Sequence, residues 1–111
     1  MEYARRMPKG YEVERVSPRA GRLGLPKNFR MIALDERGKD LTTEQFAKLL
    51  QRETAFVIGG PDGLDENVKK EAAMLLRLSS LTLPHALAQV VLLEQIYRAA
   101  TLLTGHPYHR A

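Results

Sequence analysis

The sequence predicts an α/β domain built on a mainly parallel sheet with helices on its faces. Three observations carry that reading. The hydrophobic period switches repeatedly between two residues and about 3.6. Apolar segments of strand length are followed by segments with helical spacing, which is the pattern that produces parallel strands. The chain then closes on one long helix that is apolar around nearly its whole circumference. At 111 residues it has room for one modest core, and an association interface can supply part of its burial.

Taken in order, residues 11–16 ("YEVERV") alternate apolar and charged side chains and read as a half-exposed strand, and residues 30–35 ("RMIALD") as a buried one. A basic, Gly- and Pro-rich loop joins them. After a turn in "DERGKDL", Thr42 or Thr43 caps a helix that runs to about Arg52 with Phe46, Leu49 and Leu50 on one face. "TAFVIGG" is a third strand, apolar enough to be covered on both faces. A helix following Asp65 carries Val68, Ala72 and Leu75 inward. "LRLSSLTL" reads as a short extended segment, and Pro84 opens the last helix, which Gly105 stops.

Charge and composition narrow the function. Seventeen Lys and Arg against thirteen Asp and Glu leave a net charge of +4, which favours polyanionic partners without identifying one. The chain has no cysteine, so disulfides and thiolate metal sites are excluded and no metal is expected. "MEYARRMPKG" lacks the apolar stretch of a secretory signal, which makes a cytoplasmic protein the expectation. The last helix is nearly long enough to cross a bilayer, but Gln89, Glu94, Gln95 and Arg98 within it argue against a span. Contact on two sides, with the sheet and with a second copy, explains its all-round apolarity, so a homodimer is expected.

In a parallel sheet, ligands collect at the carboxyl ends of the strands. Three loops leave those ends: "LDERGK", "GGPDG" and "SSLTLPH". Gly59, Gly60 and Gly63 would let a ligand lie against the main chain, but the turn has neither the Lys-Ser/Thr of a phosphate loop nor a G-x-G-x-x-G spacing, so by itself it reads more readily as a tight turn. The third loop places two serines and a threonine among leucines, where hydroxyls and open backbone suit a ligand better than a neighbouring strand.

The segments "IALDERGK", "FVIGGPDGL", "LSSLTLPHALAQVVLLEQIYRA" and "GHPYHR", in that order, closely resemble the bacterial ribosomal RNA large-subunit methyltransferase H family, pseudouridine N3-methyltransferases of the SPOUT superfamily. The likeness runs from about Met31 to Arg110 and continues more weakly back through "EYARRMPKGYEVERV". It implies a C-terminal trefoil knot, which periodicity would never suggest. It also implies a homodimer, S-adenosylmethionine as methyl donor, and ribosomal RNA or the assembled ribosome as substrate. Carried over by motif, the resemblance places Leu34, Gly60, Ser79, Ser80, Leu81, Thr82, Leu83 and Pro84 around the cofactor. It gathers Arg98, Tyr108, His109 and Arg110 near the transferred methyl group and the RNA. His85 is a weaker candidate, since structural hydrogen bonds alone would account for a histidine at a helix start.

The resemblance also shows departures. Family members usually begin with a strand and helix ahead of the segment equivalent to "EYARR", so the sheet is expected to lack its usual first strand. The region between the first two strands is shorter than in the family, and the link from Gln51 to Thr54 is abbreviated. A single domain is expected, with residues 1–30 a reduced N-terminal part and residues 31–111 the knotted, cofactor-binding and dimerising part. Two functions fit: an active methyltransferase, or a minimised knotted dimer serving as an RNA-binding or folding scaffold.

Overall fold

The computed structural model describes residues 29–59, 64, 66–105 and 107–108. The element order is β1 (Arg30–Lys39), α1 (Thr43–Leu49), β2 (Thr54–Val57), α2 (Glu66–Glu71), β3 (Met74–Leu76) and α3 (His85–Thr104). The expected strand at residues 11–16, the basic loop after it and most of the glycine turn lie outside the described residues.

The three strands form a parallel sheet in the order β2-β1-β3. β1 is central, and its neighbours Ile32 and Ala33 are both fully buried. Successive strand residues point to opposite faces, so both faces of β1 are covered. Ile32 is in register with Phe56 on β2 and Met74 on β3, and the three side chains therefore share a face. That face meets Phe46 and Ala47 of α1 and Leu92, Ile96 and Ala99 of α3 in one hydrophobic cluster. Phe46 and Phe56 stack within it, with ring centroids 5.4 Å apart. Each such buried aliphatic or aromatic side chain contributes roughly 1.5–3 kcal/mol relative to exposure.

Local signals explain most of the boundaries. Thr42 is the N-cap of α1, and it forms a reciprocal capping box with Gln45. α1 ends at Leu49, before the expected Arg52, because the Leu49 carbonyl is taken by the Thr54 hydroxyl (2.9 Å) and the Arg30 guanidinium (2.8 Å) instead of by a further helical turn. Pro84 is the N-cap of α3 and not its first helical residue. At the far end Gly105 adopts φ 77°, the left-handed conformation that stops a helix and favours glycine.

Four expectations are corrected. Leu75 is not on α2; it lies in β3, paired with Ala33, and α2 ends at Glu71. A short apolar run reads as helix or strand until its partner strand is known. "LRLSSLTL" does not continue as a strand, since β3 stops at Leu76. β2 is half-buried along its length rather than deeply covered, as befits an edge strand of the described sheet. Finally, "DERG" does not end β1. Leu34 and Lys39 both pair with Leu76, so the residues between them loop out and the chain returns to the same strand. Gly38 makes that return possible: a Cβ there would stand 2.6 Å from the Leu75 carbonyl carbon and the Leu76 nitrogen.

Candidate functional site

A cleft of about 490 Å³ opens at the carboxyl ends of all three strands. β1 supplies Leu34 and the looped-out Asp35 and Glu36, β2 leads into Ile58 and Gly59, and β3 leads into Leu78, Ser79, Leu81, Thr82 and Leu83. The first turn of α3 closes it with Pro84, His85 and Ala88, while Lys69 reaches in from α2. The loops singled out from the sequence therefore converge on one cavity. Of the residues assigned there by resemblance, Leu34, Ser79, Leu81, Thr82, Leu83 and Pro84 line it, Ser80 is exposed and off its wall, and Gly60 lies outside the described residues.

The walls are apolar and the rim is polar. The Ser79 hydroxyl accepts the Leu81 N–H at 3.0 Å, a local turn that holds the segment open, and Leu81 stands 75% exposed at the mouth. Thr82 donates its hydroxyl to Glu36 at 3.4 Å, tying this segment to the β1 loop. Asp35 accepts the Arg37 backbone N–H at 2.8 Å and pairs with Lys69 at 3.1 Å. That N–H first, and Lys69 second, hold its carboxyl below the usual carboxylate range, and the same pair raises Lys69. Lower on the loop, Arg77 forms a two-point pair with Asp40 and its N–H bonds the Lys39 carbonyl, which anchors the returning chain to β3.

Gly59, Asp35 and Glu36 lie in the loops "GGPDG" and "LDERGK" that the sequence singles out, whereas Lys69 lies outside them. Lys69 carried no signal, because a helical lysine is ordinarily a solvated one. His85 proves well connected: Nδ1 lies 2.6 Å from the Gly59 carbonyl oxygen and Nε2 lies 2.9 Å from the Gln89 amide nitrogen.

The second group of assigned residues forms a separate cluster. Glu94 receives Arg98 at 2.8 Å, the Gln95 amide at 2.8 Å and the Tyr108 hydroxyl at 2.9 Å. The Arg98 guanidinium lies 5.2 Å from the centre of the Tyr108 ring, which also packs edge-on against Tyr97 with centroids 4.7 Å apart. Arg98 and Tyr108 are thus brought together, with the Glu94 carboxylate as their hub. His109 and Arg110 lie outside the described residues. A helical rise of 1.5 Å per residue puts Glu94 about 9 Å and Arg98 about 15 Å along α3 from Ala88, the last helical residue lining the cleft, so within one chain the cluster is set apart from the cleft. Leu87 and Val90, 47% and 41% exposed, continue the same helical stripe as Glu94 and Arg98.

Comparison with known proteins places this arrangement. A family model described as "Predicted SPOUT methyltransferase" matches residues 2–109. A "Ribosomal RNA large subunit methyltransferase H" from Paraburkholderia xenovorans is 48% identical over 134 residues, covering 98% of this chain and 86% of the relative. The protein of the same name from Burkholderia thailandensis is 47% identical over 135 residues, covering 99% and 86%. That from Paraburkholderia phytofirmans is 59% identical over 92 residues, 78% of this chain and 59% of its own. The longer alignments exceed the 111 residues of the chain, so these relatives carry residues inside the matched region that this chain does not have. With a matched family model across almost its full length and relatives near half identity, the chain belongs to the SPOUT methyltransferase family, in its ribosomal RNA large subunit methyltransferase H group.

Proposed function

We propose that this chain transfers a methyl group from S-adenosylmethionine to N3 of a pseudouridine in large-subunit ribosomal RNA, and that it does so as a homodimer. The observation that carries the reading is the cleft: the loops after β1, β2 and β3 build one cavity of about 490 Å³, within the range of cofactor sites. Its chemistry fits the proposed donor. Leu34, Ile58, Leu78 and Leu83 offer apolar walls for a flat base, the Ser79 and Thr82 hydroxyls and Glu36 suit hydroxyl and ammonium groups, and Lys69 suits a carboxylate.

S-adenosylmethionine, when bound, supplies an electrophilic methyl on a sulfonium centre. The protein's part is alignment, water exclusion and removal of the N3 proton. Tyr108 or His109 takes that proton, while Arg98 and Arg110 balance negative charge developing on the base or hold a neighbouring phosphate. Glu94 fixes the orientation of two members of the set, Arg98 and Tyr108.

The roughly 9–15 Å of helix between Ala88 at the cleft and Glu94 and Arg98 in the cluster supports a site shared by two chains. Packing two copies along α3 would cover the remaining exposed parts of Leu87 and Val90, each worth roughly 0.6–1.4 kcal/mol, and set the tail of one copy at the cleft of the other. A knot formed by the chain around α3 and a cytoplasmic location belong to the same reading.

Calorimetric titration with S-adenosylmethionine, followed by methyl transfer to ribosomes lacking the modification, tests it. Saturable binding and methylation at pseudouridine N3 are expected. A folded dimer that binds no S-adenosylmethionine would instead favour the scaffold reading.

A further inference from the structure

His85 is the first residue of α3 and lines the cleft, yet nothing in the methyl-transfer scheme uses it. Its ring is engaged at both nitrogens. A carbonyl oxygen only accepts, so the 2.6 Å contact with Gly59 requires the proton on Nδ1. Nε2 of the neutral ring then accepts from the Gln89 amide at 2.9 Å, one turn further along the helix. The result is a chain of two hydrogen bonds from Gln89 through His85 to the backbone that follows β2. It spans the cleft's edge between two walls that covalent structure does not join, since Gly59 and His85 are 26 residues apart.

We propose that His85 is a positioning residue for the cleft: its Nδ1–H ties the Gly59 carbonyl to the first turn of α3 and so fixes the spacing between the end of β2 at Ile58 and Gly59 and the segment of residues 79–84. The inference rests on the reading of this cleft as the S-adenosylmethionine site. Gln89 sets the tautomer and the ring angle. The predicted consequence is on cofactor affinity, because the bond holds the walls between which the cofactor is bound and touches no group that handles the acceptor.

The test uses the 111-residue chain and S-adenosylmethionine as titrant. His85→Ala should raise the cofactor Kd by about tenfold, the effect of losing one well-made hydrogen bond, while kcat at saturating cofactor stays within about threefold. His85→Asn should recover most of the affinity, because its amide nitrogen branches where Nδ1 does. His85→Gln should not. Nitrogen NMR of the cofactor-free protein should show the Nδ1-protonated tautomer. An unchanged Kd in His85→Ala, or His85→Asn as weak as His85→Ala, would overturn the positioning role while leaving the cofactor site intact. An Nε2-protonated ring would overturn it as well. Wild-type protein that binds no S-adenosylmethionine would remove the cofactor reading itself, and the inference with it.

Discussion

The two ends of α3 do different chemistry. At its start, Pro84, His85 and Ala88 close a cleft with apolar walls, in which the charged groups sit on the rim and are mostly committed to each other. Toward its end, Glu94 gathers a guanidinium and a phenol into a compact polar cluster with aromatic packing beneath it. The first arrangement suits holding a small molecule; the second suits meeting an anionic or nucleophilic partner. The helix sets Glu94 and Arg98 about 9 and 15 Å beyond Ala88. In the proposed reading a second copy packed over the exposed Leu87 and Val90 brings the two ends into one site.

Substitutions at the two ends should therefore separate binding from transfer. The largest effect is expected at the cleft end. Gly60→Val should weaken S-adenosylmethionine binding by about a hundredfold or more, since a branched Cβ both occupies ligand space and restricts the backbone. Gly60→Ala should do less, and both variants should stay dimeric by sedimentation. At the tail end, Arg110→Ala should lower methyl transfer about a hundredfold with cofactor affinity held within a few-fold. Full activity in Arg110→Ala would show that the tail takes no part.

Glu94→Gln sharpens the contrast at intermediate size. The variant keeps an acceptor for Tyr108 but removes the charge that pairs with Arg98, so transfer should fall about tenfold with cofactor Kd unchanged. A change in cofactor Kd instead would tie the two ends together more closely than the geometry does. Gly38→Ala probes the cleft wall, because its Cβ would meet the β3 backbone at 2.6 Å. Overpacking of that kind costs about 1–3 kcal/mol, and thermal melting should show it together with weaker cofactor binding.

How much of this was legible in the sequence follows from how local each signal is. The Thr42 cap and the Gly105 stop are single-residue signals, and both were readable. Leu75 was misplaced because three apolar residues carry no period of their own, and only pairing with Ala33 makes them a strand. The turn in "DERG" is legible, but the return of the chain to β3 after it is not, because Gly38 is demanded by the β3 backbone lying against it. The contact of His85 with Gly59 depends on how the elements meet, and so does the distance between Arg98 and the cleft. The resemblance to a family supplied residues for both groups, but not the fact that one chain holds them apart.

The smallest expected effect is electrostatic. Asp35 titrates below its unfolded value near 3.9, so its bonds to the Arg37 N–H and Lys69 stabilise the fold above that value and are lost as pH falls through the lower folded one. Wild type should exceed Asp35→Asn in denaturant stability at neutral pH, and the gap should shrink steadily below about pH 4. A gap that persists under acid would assign the difference to packing.

The most direct measurement of the shared site is a mixed dimer. Gly60→Val chains carry an intact tail, and Arg110→Ala chains an intact cleft; each homodimer alone should be nearly inactive. Refolded together at equal amounts, half of the dimers are mixed, and each mixed dimer has one site with both lesions and one with neither. Activity should therefore return to roughly one quarter of wild type. If cleft and tail act within a single chain, every site in the mixture still carries one lesion, and activity stays at the level of the parents.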